Sequence, residues 1–182
     1  MSLMHGVLGF LGYGRMSGYD LAKAFGSSVQ FFWNAQQSQI YLTLDKLEKQ
    51  GFATHERVAQ ADRPDKKLYS ITERGREEFM RWLAEPNENS VSEFKSAFLM
   101  KVFFSGNRSY EESAEMLQAF VRDCREYLVT MGSIPGSIEN YSREVPADAP
   151  IYWQFTADFG FSYVKMCIEW AERCIERLEA AK

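Results

Sequence analysis

At 182 residues, with 46% hydrophobic and 25% charged side chains, the chain can bury a core without cross-links, which excludes a disordered or disulfide-stapled class. Its net charge of −4 excludes a uniformly basic nucleic-acid coat, yet the charge is uneven: residues 1–85 carry 11 Lys/Arg against 10 Asp/Glu, and residues 86–182 carry 10 against 15. Cys124, Cys167 and Cys174 form no CxxC motif, and no run approaches the ~20 apolar residues of a membrane span, so a reduced, cytoplasmic protein is expected, with no metal, cofactor or membrane.

The apolar opening MSLMHGVLGFLGYG has neither the basic leader nor the cleavage pattern of a signal peptide. It reads as a first helix over about Leu3 to Tyr13, with Leu3, Val7, Leu8, Phe10 and Leu11 as core candidates. Ser17 then caps a second helix, SGYDLAKAF, with Asp20 at the position that reaches back to the cap. Leu21, Ala24 and Phe25 form its apolar side, and Gly26 is the expected end.

In NAQQSQIYLTLDKLEKQG, Asn34 is the expected cap and Gln37 its reciprocal partner. Ile40, Leu44 and Leu47 recur at helical spacing and should face the core, which leaves Ser38, Tyr41, Leu42, Asp45 and Lys49 pointing away; Gly51 stops the helix. Two short strands follow, around FATHER and KKLYSIT, joined by the turn-rich AQADRPD, and Tyr69 and Ile71 alternate like a half-buried strand. Thr72 can cap a fourth helix, ERGREEFMRWLAE, ended by Pro86.

PNENSVSE is the expected linker, separating a domain over residues 1–86 from one over 91–182. Beyond it, Ser90 and Glu93 predict a capping box for a helix to Phe104, and Ser109 and Glu112 predict another for a long helix carrying Met116, Phe120, Cys124, Tyr127 and Leu128. SIPGSIENYSREVPADAP, with three prolines, reads as a connection that could hold a helical turn. The last helix, about Pro150 to Ala180, is apolar nearly all round in its first half: Ile151, Tyr152, Trp153, Phe155, Phe159, Phe161, Tyr163, Val164 and Met166. Such a helix needs cover on more than one face, expected from its own domain and a second subunit, the alternative being a monomeric helical core. Its second half narrows to Ile168, Ala171, Ile175 and Leu178, a spacing compatible with a coiled-coil seam.

A helix, a turn, a second helix and a two-stranded ribbon make a winged helix-turn-helix, whose second helix can enter a major groove. The expected fold is mainly α: this N-terminal DNA-reading unit, then an all-helical C-terminal domain for dimerisation. Competing motifs are weak. Gly12, Gly14 and Gly18 approach a dinucleotide fingerprint, but VQFFWNA supplies Asn34 where an acid is required. His5 and His55 lack metal-ligand spacing and read as structural, and nothing organises a serine-based triad, so no catalysis is expected.

The segments SGYDL, FFWNAQQSQIYLTLDKLEKQGF, KKLYSITERG and FKSAFLMKVFF resemble those of the PadR family of bacterial transcriptional regulators, in its longer subgroup with a helical C-terminal domain. The resemblance implies a dimeric repressor, joined through its C-terminal helices and released from a palindromic operator in double-stranded DNA by a small, often phenolic, molecule. It also implies that Tyr19 meets the DNA backbone, that Gln37, Ser38, Gln39 and Tyr41 open the reading helix, and that Lys66 and Lys67 lie on the wing. Where members often carry a basic residue or His before SQIY and a Pro after it, this chain has Gln37 and Leu42, so its base preference should differ.

The expected DNA-binding set is thus Tyr19, Gln37, Ser38, Gln39, Tyr41, Lys46, Arg63, Lys66 and Lys67, with Asp62 and Asp65 interleaved among the wing cations. Aromatic residues at Phe31, Phe32, Trp33, Tyr152, Trp153 and Phe155 could line a pocket for a flat effector, although core packing alone is the stronger reading. The alternative function is a winged-helix protein–protein adaptor that binds no nucleic acid.

Overall fold

A computed structural model describes residues 2–30, 32–59, 66–86 and 96–181. The elements run α1 (Ser2–Tyr13), α2 (Gly18–Ser28), α3 (Gln37–Lys49), β1 (Ala53–Val58), β2 (Lys66–Ile71), α4 (Glu73–Ala84), α5 (Ala97–Phe103), α6 (Tyr110–Met131), α7 (Ile134–Tyr141) and α8 (Ala149–Ala180). Short 3₁₀ turns at Ser105–Asn107 and Ser142–Glu144 follow α5 and α7. The chain divides into two compact units, Met1–Pro86 with Gly136–Trp153, and Asn87–Pro135 with Gln154–Lys182.

In the first unit the helical spacing of apolar residues becomes a closed core. Val7, Leu8 and Leu11 of α1, Leu21 and Phe25 of α2, and Ile40, Leu44 and Leu47 of α3 are buried, and Ala53 and Tyr69 close the core from the strands. β1 and β2 pair antiparallel, with His55 opposite Tyr69 and Arg57 opposite Lys67. Met16, just before α2, exchanges backbone hydrogen bonds with Tyr69 (3.1 and 2.9 Å), so the entry to α2 is tied to the middle of β2. Gly51 follows α3 with φ +73, a backbone state that other residues adopt only at a cost.

α4 packs on α1 around His5. That buried ring stacks on Trp82 (centroids 4.7 Å apart, planes 2° apart), and its Nε2 lies 3.1 Å from Glu78 Oε1. Hydrogen bonds from Arg81 and His5 hold the Glu78 carboxyl down at about 2. At the other end of α1, Trp153 meets Tyr13 edge-on, and its Nε1–H donates to the Tyr13 hydroxyl at 3.3 Å.

The second unit has a smaller core. Leu117 and Val121 of α6 meet Ala171 of α8, with Phe98, Val102, Phe120, Ile168, Trp170, Cys174, Ile175 and Leu178 packed around them. Phe98 stacks on Phe120 with centroids 4.1 Å apart.

Several boundaries differ from the expectation, each for a physical reason. α2 runs through Gly26 to Ser28, because the Ser27 and Ser28 hydroxyls both donate to the Ala24 carbonyl and sustain the last turn. α3 is entered at Gln36 rather than Asn34, with Gln39, not Gln37, reaching back to the cap. α5 is capped by Ser96, whose hydroxyl accepts from Leu99 N–H; Ser90, Glu93 and the linker lie outside the described residues. The three-proline segment contains a real helix, α7, since Pro135 falls in its first turn, where a missing N–H costs nothing. The Ile168–Ala171–Ile175–Leu178 stripe packs against α5 and α6 of the same chain. The capping boxes at Ser17/Asp20 and Ser109/Glu112 and the cap at Thr72 form as expected.

Candidate nucleic-acid interface

The geometry of α3 follows from its two faces. Ile40, Leu44 and Leu47 are wholly buried and fix the helix against α1 and α2, so the opposite side cannot turn inward. On that outer side Gln37, Ser38, Tyr41, Leu42, Asp45 and Lys49 are exposed, and Lys46 is exposed one turn beyond Leu42. Leu42 is 61% exposed, a large apolar side chain on the outer face of a helix otherwise sharply divided. Gln39 is exposed too, but its side-chain carbonyl accepts the Gln36 N–H at 3.0 Å, so its amide N–H groups are its outward-facing chemistry.

Tyr41 has a seat. A Cβ added to Gly18 would lie 2.4 Å from Tyr41 Cε1, so the ring occupies the space that any side chain at position 18 would need. The absent side chain lets the start of α2 pass directly under α3. Tyr19, the next residue, is 64% exposed. The run Ser17–Gly18–Tyr19–Asp20 therefore supplies a helix cap, a ring seat, an exposed hydroxyl and a carboxylate within one turn.

That carboxylate organises the base of the wing. Asp20 Oδ2 accepts from the Ser17 hydroxyl (2.7 Å) and Ser17 N–H (3.1 Å), and Lys66 Nζ stands 2.9 Å from the same oxygen. Burial acts to raise the Asp20 carboxyl, but the hydrogen bonds from Lys66 and Ser17 outweigh it and hold the group below its usual range. Arg15 pairs similarly with Glu56 of β1 at 2.8 Å. Exposed pairs of this kind contribute about 0.2–1 kcal/mol each. Lys67 is exposed, makes no ion pair among the described residues, and faces exposed Arg57 across the ladder.

The expected residues thus fall into groups. Gln37, Ser38, Gln39, Tyr41 and Lys46 lie on α3, Tyr19 stands beside Tyr41's seat, and Lys66 and Lys67 open β2, whereas Arg63 and the wing turn lie outside the described residues. Arg57 is a cation that the sequence reading missed; only the strand register, which sets it opposite Lys67, brings it into view. Of the aromatic group, Trp33 is partly exposed in the loop after α2, Tyr152 and Phe155 are exposed on α8, and Trp153 is held by Tyr13. His55 pairs through Nδ1 with Glu48 of α3, so both histidines are structural in their contacts. Among the described residues no cluster could hold a metal ion, and no helix is long and apolar enough to cross a membrane.

Two family models match this chain: the Transcriptional regulator PadR-like family over residues 7–81, and the Virulence activator alpha C-term over residues 94–179. The N-terminal region is that of a PadR-like transcriptional regulator. The C-terminal match is that of the longer PadR-like subgroup. The negative transcriptional regulator PadR of Bacillus subtilis is 34% identical over 118 residues, 64% of this chain and 63% of that protein. A probable transcriptional regulator of Mycobacterium tuberculosis is 44% identical over 86 residues, 47% of this chain and 46% of that protein. The matches therefore span about half to under two thirds of the length of these relatives.

Solved PadR-like structures share the fold. A regulator from Bacillus cereus superposes with a TM-score of 0.77 at 26% identity, covering 98% of this chain and 96% of that one. Bacillus subtilis PadR in complex with operator DNA gives 0.72 at 24% identity, covering 100% and 97%. The same protein in complex with p-coumaric acid gives 0.76 at 24% identity, covering 98% and 99%. All of these relatives are named as transcriptional regulators, a role that involves no catalysis.

Proposed function

We propose that this PadR-like protein is a cytoplasmic, homodimeric, DNA-binding repressor, released from a palindromic operator by a small aromatic molecule. The observation that carries the reading is the division of α3: one face wholly buried, the other presenting Gln37, Ser38, Tyr41 and Leu42 to solvent. Glutamine and serine can hydrogen-bond base edges or phosphates, Leu42 offers an apolar partner for a thymine methyl, and Tyr19 and Tyr41 offer hydroxyls to phosphate. The residue range 1–86 is the reading domain and 91–182 the pairing domain.

Pairing is supported by what the second unit leaves uncovered. Phe103 is 79% exposed and Phe159 67%, and Phe104, Phe155 and Met166 are exposed as well. Apolar surface on this scale favours association with another copy. Two heads held about 34 Å apart then meet successive major grooves. Trp33, Tyr152, Trp153 and Phe155 are the proposed effector contacts, with the p-coumaric acid complex of Bacillus subtilis PadR as the precedent for a flat phenolic ligand. An effector would act by favouring a dimer whose heads no longer match the half-sites.

The test is a mobility shift on the promoter of the protein's own operon across a range of salt. Ser38→Ala with Tyr41→Ala should weaken binding without unfolding the chain. Unchanged binding by that double variant would reject this reading face, and no retention of the unmodified protein on any duplex at low salt would favour the adaptor function.

A further inference from the structure

The cations on and beside the two strands are not all free to meet a ligand. Lys66 is engaged by Asp20, itself fixed by two hydrogen bonds from Ser17, and Arg15 is engaged by Glu56. Arg57 and Lys67 differ: they stand directly opposite each other in the antiparallel ladder, and both are exposed. Like charges in that arrangement repel, and an anion seated between them removes the repulsion.

Their direction fits a DNA surface. Alternation puts Arg57 and Lys67 on the same sheet face as His55 and Tyr69, and His55 reaches Glu48 of α3 from that face. The two cations therefore extend, toward the wing tip, the side of the sheet that packs on the reading helix. Lys66 belongs to the other face, where Asp20 meets it.

From this juxtaposition we infer that Arg57 and Lys67 form a cross-strand clamp for one DNA phosphate, and that Asp20 is a positioning residue that withholds Lys66 from the DNA and sets the pitch of the wing. The inference rests on the DNA-binding reading above. Lys66 then anchors rather than contacts, and Arg57 joins the interface.

Counterion release separates these roles, because each phosphate contact adds about 0.9 to the slope of log affinity against log salt. The experiment titrates the full-length protein against a mixed-sequence 30-base-pair duplex at several salt concentrations and repeats this for each variant. Arg57→Met and Lys67→Met should each flatten the slope, by up to about 0.9 for the one phosphate they share, so that a change from about 50 to 200 mM salt costs each variant up to roughly 3.5-fold less affinity than it costs the unmodified protein. Lys66→Met should leave the slope unchanged. Asp20→Asn, whose side-chain carbonyl can still accept from Ser17, should steepen it as Lys66 becomes free, and Asp20→Asn with Lys66→Met should restore it. Asp20→Glu, which keeps the charge, should hold the original slope, and a loss of helicity by circular dichroism in Asp20→Asn would mark a folding defect, in which case Asp20→Ala, judged against Asp20→Ala with Lys66→Met, supplies the same comparison. A slope loss in Lys66→Met equal to that in Lys67→Met, or an unchanged slope in Arg57→Met, overturns the inference while leaving DNA binding intact. Failure of the unmodified protein to bind the duplex at low salt overturns the function itself.

Discussion

The first unit completes its own core, whereas the second stops short. Around α1, α2 and α3 the large aliphatic side chains Leu8, Leu21, Ile40, Leu44 and Leu47 are wholly enclosed. In the second unit the buried positions of α8 are small, Ala157, Gly160, Val164, Cys167 and Ala171, while Phe155, Phe159 and Met166 remain exposed. One region is therefore built to hold a helix at a fixed attitude. The other leaves large apolar side chains exposed, the surface on which the proposed pairing rests.

That contrast breaks most sharply at Leu44. Leu44→Ala removes a wholly buried side chain and should cost about 2–5 kcal/mol, read as a shift in the urea midpoint of the first unit. Gly18→Ala tests the attitude of the reading helix rather than its core. The exposed Tyr41 ring must swing away from the new methyl, so DNA affinity should fall about 10-fold, equivalent to 1.4 kcal/mol, while the melting temperature changes little. Thr72→Ala deletes the cap that accepts the Gly75 N–H at 3.1 Å and donates to the Gly51 carbonyl, and should cost about 1 kcal/mol in the same denaturation.

Acid probes the α1–α4 contact. The Glu78 carboxyl is depressed from 4.5 to about 2, so the stability it contributes is complete above 4.5 and is lost as pH falls through 2. Stability measured against pH should therefore decline over that window, and Glu78→Gln should flatten the decline. The smallest effect on a single chain should come from Phe159→Ser, within about 0.5 kcal/mol at high dilution, because the ring is already exposed. The same variant should lose the dependence of melting temperature on protein concentration that association confers.

Much of the first unit was legible because its signals are local. Ser17 with Asp20, Thr72, and Gly51 with its left-handed backbone are each read from neighbouring residues. The register of Ile40, Leu44 and Leu47 likewise needs nothing beyond helical spacing. What escaped depends on partners distant in sequence. The Ile168–Leu178 stripe looks the same whether it meets α6 of its own chain or a second copy. Arg57 acquires meaning only when the ladder brings Lys67 opposite it, and Lys66 changes meaning once Asp20, 46 positions earlier, is found 2.9 Å away. Pro135 misled because a proline breaks a helix interior yet suits its first turn.

The proposed repressor requires two reading heads joined by the apolar surface of the second unit. Sedimentation equilibrium of the full-length protein, alone and with its own promoter duplex, tests this directly. Two chains per molecule, and two per duplex at saturation, are the predicted result. A single chain at micromolar concentration with no retention of any duplex would contradict it.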